Sequence, residues 1–309
     1  MKKYLQSLSV VALSVGLLAA CGEGESNNEE NSAGANNNNE EASNNAGNEN
    51  EEASNNNEAN ESVELESLVV GASNVPHAEI LEFASPLLEE EGIALEVVPF
   101  NDYVLPNEAL AEGELDANYF QHIPYLESQI AEHDYDFVNA GGIHIEPIGV
   151  YSQDYATLDE LPDGAEIIMS SAVSDHGRIL MMLEEEGLIT LAEGVGIEAE
   201  ISDIVENPRD LQFQGNVEAA LLTQAYDVGE GDAVLINSNY ALDAGLNPLE
   251  DAIATESADL DNPYVNVIAV NSGDEDDERI LTLLDVLRSE EVLDFIIEEY
   301  DNAVVPVTE

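Results

Sequence analysis

LESLVVGASNVPHAEILEFASPLLEEEGIALEVVPF, residues 65–100, decides the fold. Leu65–Ala72 is apolar enough for a buried strand, and Ser73, Asn74 and Pro76 then turn the chain. From His77 to Glu90 the apolar positions Ile80, Leu81, Ala84, Leu87 and Leu88 recur at helical spacing and form one stripe. Gly92 stops that helix, and Leu95–Phe100 supplies a second strand. A strand, a helix and a strand joined by short connections are the unit of a parallel α/β sheet.

The rhythm continues outward. Pro106–Gly113 reads as a short helix, Ala117–Phe120 as a strand and Pro124–Glu132 as a helix, and a strand that starts at Phe137–Val138 ends near Gly141 and Gly142. In IHIEPIGVYS (143–152), Pro147 interrupts an apolar run, which disfavours a central ladder strand and suits a segment passing between two lobes. A second lobe then takes a strand at Glu166–Met169, a helix at His176–Glu186, Leu211–Phe213, a helix at Val217–Gln224 and a strand at Asp232–Ile236. Val265–Val270 reads as the return crossing, and Asp277–Leu287 and Val292–Tyr300 as closing helices. The expectation is an α/β protein of two lobes, the first from 65–146 and 265–309 and the second from 147–264, with a cleft that can close on a ligand.

Residues 1–20 have a basic start (Lys2, Lys3) and an apolar run from Leu8 to Ala20, too short to span a bilayer and laid out like a secretory signal. Leu18-Ala19-Ala20-Cys21 has the form of a lipidation box, so Cys21 is expected to carry lipid and anchor the chain to the outer face of a membrane. It is the only cysteine, which excludes a disulfide framework. Residues 21–64 collapse to Asn, Glu, Ala, Ser and Gly and read as a flexible tether.

The 309 residues carry 67 acids against six lysines and arginines, a formal net charge of −61. Both lysines sit at the N-terminus, so the rest of the chain holds only Arg178, Arg209, Arg279 and Arg288. A surface of that sign excludes nucleic acid and anionic headgroups as partners. It also repels itself in dilute buffer, a repulsion that concentrated salt screens, so it suits a halophilic setting. Gly-x-Ser-x-Gly, P-loop and His-Glu-x-x-His patterns are absent, which argues against the enzymes they mark, and no cofactor is expected.

Residues 101–125 gather Tyr103, Tyr119, Phe120, Tyr125 and His122 without a lysine or arginine, a composition that suits a partly apolar ligand as well as an ordinary core. A ligand carboxylate calls for a bidentate guanidinium or a helix N-terminus. Arg178, in the first turn of the predicted helix at 177–186, offers both. Arg209, Arg279 and Arg288 sit among acids, where solvated ion pairs are the expectation.

DYVLPNEALAEGELDANYFQHIPYLE (102–127) resembles the signature region of the methionine-binding lipoproteins of bacterial ABC uptake systems, the NlpA/MetQ family. The resemblance recurs, in the family's order, in VPHAEILE (75–82), IHIEPIGVYS, GRILMMLEEEGLI (177–189), VENPRDLQF (205–213), INSNYALDAGLNP (236–248) and NPYVNVIAV (262–270). It implies a type II periplasmic-binding-protein-like fold with two crossover strands, L-methionine or a related amino acid as ligand, and an ABC permease and ATPase as partners. It further implies that Arg178 holds the carboxylate, that Asn207, Asn237 and Asn239 receive the ammonium, and that Tyr103, Phe120, His122 and Tyr125 flank the thioether. Ser170–Asp175 departs from the Asn-Asp-Pro type of loop common in the family, which leaves methionine, another amino acid and a methionine dipeptide open. Two other readings use the same residues differently: a metal receptor built on His77, His122, His133 and His144, and a surface adhesin without a pocket.

Charge repulsion makes the first prediction. The thermal midpoint should rise between roughly 0.1 M and 1 M NaCl, over which the Debye length falls from about 10 Å to about 3 Å. A midpoint that is flat or falls across that range contradicts the halophilic reading.

Overall fold

The structure, a computed structural model, describes residues 65–257 and 262–307. The signal segment, Cys21 and the tether lie outside these residues.

The first lobe opens with β1 (Glu66–Ser73), α1 (Glu79–Glu90), β2 (Ile93–Phe100), α2 (Leu105–Ala111), β3 (Ala117–His122), α3 (Ile123–His133) and β4 (Phe137–Ile145). The chain then enters a second sheet through β5 (Gly149–Tyr151), β6 (Glu166–Ser170), α4 (Val173–Glu185), β7 (Thr190–Leu191), β8 (Ile204–Glu206), β9 (Gln212–Val217), α5 (Leu222–Asp227), β10 (Ala233–Ile236), α6 (Ser238–Asp243) and β11 (Ala254–Thr255). It returns with β12 (Val265–Asn271), α7 (Glu278–Leu287), α8 (Glu290–Tyr300) and β13 (Val305–Pro306).

The first sheet has the order β13-β4-β12-β3-β1-β2, and the second β11-β5-β10-β6-β9. β1 pairs in parallel with β2 and β3, as the opening strand–helix–strand unit requires. β12 lies antiparallel between β3 and β4. Each sheet is covered on both faces, so its central strands are buried on both sides. α1, α7 and α8 pack on one face of the first sheet through Ile80, Leu81, Leu283 and Ile296, and Leu110 and Leu126 of α2 and α3 cover the other. In the second lobe, Ile179, Leu180 and Leu183 of α4 fill one side, and Leu222 and Ala241 of α5 and α6 the other.

Several expected boundaries move. β4 does not end at Gly141–Gly142 but runs on to Ile145, because the missing side chains make room there for Arg288 and Val265. Only Glu146-Pro147-Ile148 is left to cross. The return crossing is likewise not Val265–Val270, which is a central ladder strand; it lies between β11 and β12. The helix expected at Val217–Gln224 starts late, since Val217 ends β9. Among the described residues Arg288 makes no ion pair: it donates to the Gly142 carbonyl from Nε (3.1 Å) and Nη2 (2.9 Å). Arg279 does pair with Asp116 and Asp277, and Arg209 lies 3.9 Å from Asp163.

The helix α4 places the guanidinium discussed below, and Gly177 sets how closely it docks. A Cβ at Gly177 would overlap the backbone carbonyl of Ile197, in the short 3-10 turn Gly196–Glu198. Backbone cannot yield as a flexible side chain can. Gly177→Ala should therefore destabilise the fold by about 1–3 kcal/mol in urea unfolding; an unchanged midpoint would show that the two elements slide apart freely.

Candidate functional site

A small cavity lies between the two lobes. From the first lobe come Tyr103, in the loop before α2; Phe120, Gln121 and His122, the last residues of β3; Tyr125, in the first turn of α3; and Asn266 of β12. The crossing segment gives Glu146, α4 gives Asp175 and Arg178, and the β10–α6 junction gives Asn237, Ser238 and Asn239.

One pole is aromatic. Tyr103 lies 6.0 Å from Phe120 and 5.7 Å from Tyr125 between ring centroids, at tilted or edge-on angles that aromatic quadrupoles favour. The Tyr125 hydroxyl donates to the Tyr103 carbonyl at 3.0 Å, and the Tyr103 hydroxyl crosses the cleft to Asn239 Oδ1 at 2.6 Å. Burial first, then the neighbouring Tyr240 and the acids Asp175 and Glu146, raise the Tyr103 phenol well above its ordinary range, so it remains a donor.

His122 caps α3. Its Nδ1 accepts from the Tyr125 amide at 3.1 Å, which puts the proton on Nε2, and Nε2 faces Asp175 Oδ1 at 3.1 Å. Asp175 also accepts from Asn237 Nδ2 at 3.1 Å. Burial pushes the Asp175 carboxyl up, but the His122 hydrogen bond, the charge on Arg178 and the Asn237 amide outweigh it and hold the group below the usual carboxylate range. Asn237 Oδ1 is buried and has no partner among the described residues, an acceptor left open at the cavity wall.

Arg178 is 3% exposed. Its Nε donates to Glu256 Oε2 at 2.9 Å and its Nη2 to the Glu146 carbonyl at 2.6 Å, while Nη2 also pairs with Glu256. Its central carbon stands 4.4 Å over the Tyr264 ring. Burial opposes its charge, and the carboxylates of Glu256 and Asp175 more than restore it. α4 begins at Val173, so Arg178 is past the first turn and acts through its side chain rather than beside a helix N-terminus.

Behind the cavity wall, Glu146 is held by two histidines. His144 Nε2 lies 2.7 Å and His77 Nε2 3.3 Å from Glu146 Oε1; the Tyr119 hydroxyl bonds His144 Nδ1, and His77 Nε2 also reaches Asn266 Oδ1 at 3.1 Å. Of the four histidines considered as metal ligands, only His77 and His144 come together; His122 faces Asp175, and His133 is exposed at the end of α3. His77, His144 and Glu146 sit close enough to share an ion, yet His144 already bonds Glu146 and His77 already bonds Asn266.

Seven of the eight predicted ligand contacts thus line one cavity. Asn207 does not: its side chain closes the 207–211 turn, donating to the Leu211 carbonyl and accepting from the Leu211 amide, both at 2.9 Å. Sequence reasoning missed Gln121, Glu146, Asp175, Ser238 and Asn266. Glu146 had a visible signal, a lone acid in the apolar run IHIEPIGVY, and Asn266 had another, a lone amide in VNVIAV.

A model of the NlpA lipoprotein family matches residues 68–308. The methionine-binding lipoprotein MetQ of Bacillus subtilis (strain 168) is 51% identical over 255 residues, which is 82% of this chain and 92% of that protein. The D-methionine-binding lipoprotein MetQ of Escherichia coli (strain K12) is 38% identical over 226 residues, 73% of this chain and 81% of that one. Among solved structures, a nutrient binding protein from Burkholderia cenocepacia bound to methionine superposes with a TM-score of 0.72 at 40% identity, covering 77% of this chain and 99% of that chain.

The buried histidines set a pH response. Burial lowers His77 to about 4, against an opposing pull from Glu146. Between that value and the ordinary 6.5 the unfolded chain binds a proton that the folded one refuses, so stability falls as pH drops through this window. His77→Gln should lose less stability than the parent between pH 7 and pH 5, by about 2 kcal/mol. Parallel stability–pH curves would mean that His77 titrates normally.

Proposed function

Because the chain belongs to the NlpA lipoprotein family, we propose that it is the lipid-anchored substrate-binding subunit of an ABC importer and takes L-methionine, or a closely related amino acid, into the cavity between its lobes. The observation that carries this reading is the make-up of that cavity wall, which holds a buried guanidinium, amide groups and a box of aromatic rings. A zwitterion with a thioether tail matches that set of groups. The names of the curated relatives and the methionine-bound structural neighbour support the same ligand.

In this reading Arg178 receives the carboxylate, and the ammonium meets Asn237 Oδ1 and the acids Asp175 and Glu146. Asn239 Oδ1 already accepts from Tyr103, so Asn239 works more by holding that ring than by meeting the ligand. The thioether lies against Tyr103, Phe120, His122 and Tyr125, where each sulfur–aromatic contact contributes about 0.3–1.5 kcal/mol. Binding draws the lobes together, and release to a membrane permease with its ATPase follows on reopening. The protein itself carries out no covalent step. Lipid on Cys21 and the acidic tether keep it at the outer membrane face while it samples solution.

Isothermal titration of the soluble chain with L-methionine in about 1 M salt tests this directly, under conditions where surface repulsion is screened. Saturable heat is expected in the parent, and Arg178→Ala should weaken binding about 100-fold or more, with circular dichroism checking that the variant is folded. A parent protein that gives no saturable heat with L-methionine would remove the reading.

A further inference from the structure

The arginine at the polar end is itself held, and the group that holds it stands outside the cavity wall. Glu256 lies on the second crossing, just after β11, with a side chain 11% exposed. Its Oε2 takes both Nε and Nη2 of Arg178 and faces the Ile148 amide at 3.3 Å; its Oε1 accepts from Asn262 Nδ2 at 3.2 Å. Its backbone amide donates to the Ile148 carbonyl at 3.0 Å. Ile148 belongs to the first crossing, as does Glu146, whose carbonyl takes the remaining Nη2 proton. One carboxylate therefore joins the ligand-facing arginine to both segments on which the lobes hinge.

This clamp also decides which edge of the guanidinium is free. Nε and Nη2 are spent on Glu256 and Glu146, and Tyr264 covers one face of the plane. Among the described residues Nη1 has no protein acceptor. A ligand carboxylate is thus left only the Nη1 donors, which lie in the guanidinium plane, so rotation about the last side-chain bonds would turn them away.

We propose that Glu256 is a positioning residue for Arg178: it fixes the guanidinium so that the Nη1 edge is presented to a ligand carboxylate, and it ties occupancy of that edge to the two crossing segments. The assignment rests on the amino-acid reading above and adds to it the group that makes Arg178 selective for a carboxylate. Simple charge competition makes the opposite forecast, since removing a neighbouring anion would leave Arg178 more strongly positive and should tighten binding.

Glu256→Gln separates the two, because it keeps the shape and one acceptor while removing the charge. Titration with L-methionine and with L-methioninamide, which lacks the carboxylate, gives a ratio of affinities for each protein. In the parent that ratio reports the Arg178–carboxylate contact. Glu256→Gln should weaken L-methionine at least about tenfold and L-methioninamide far less, shrinking the ratio. Glu256→Asp retains the charge with a shorter reach and should recover part of it, which also guards against a Gln variant that merely fails to fold. An unchanged ratio, whether both ligands weaken equally or neither does, overturns the assignment, as does tighter methionine binding. A parent that binds neither compound overturns the ligand reading and this assignment together, and that failure is visible before any variant is made.

Discussion

The Arg178 guanidinium keeps its charge at any pH the fold survives, and it is almost fully enclosed. A buried cation must be matched by acceptors of suitable geometry or its desolvation would cost several kcal/mol. Among the described residues it is the only buried arginine, and Glu146 and Asp175 are the only buried carboxylates. The three line one cavity. The remaining described acids lie at least partly in water, where a net charge as large as this one is tolerable. The burial of charge is thus confined to the place where the lobes meet.

Each buried charge is approached from a different part of the chain. Arg178 is balanced from the second crossing by Glu256 and from the first by a carbonyl of Glu146. Asp175 is reached across the cleft by His122 and within its own lobe by Asn237. Glu146 rests on His144 and His77 from the first lobe, which burial keeps neutral, so they act as donors and add no charge. The polar network includes a residue from each crossing segment, Glu146 from the first and Glu256 from the second.

The aromatic pole follows a different rule. Tyr103, Phe120 and Tyr125 pack by shape, and the Tyr125 and Tyr103 hydroxyls are directed by single bonds to the Tyr103 carbonyl and to Asn239 respectively. Rings of this kind offer a large contact area with little rotamer freedom to lose.

Local pattern determined the α/β class, most helices and the existence of two lobes, because hydrophobic periodicity and glycine stops act over a few residues. It also singled out Tyr103, Phe120, His122, Tyr125 and Arg178, through chemistry and through a family likeness carried by contiguous strings. What it misjudged depended on distant partners. Gly141 and Gly142 looked like a strand end, and only the packing of Arg288 and Val265 against them shows why the strand continues. Asn207 and Asn237 are alike in sequence, yet one closes a turn and the other lines the cavity. Glu146, Asp175 and Glu256 were three acids among 67. Apart from the lone-acid signal at Glu146, tertiary structure selected them, because whether a carboxylate is a solvated surface charge or the counterpart of a buried guanidinium is set by what the fold brings within about 3 Å of it.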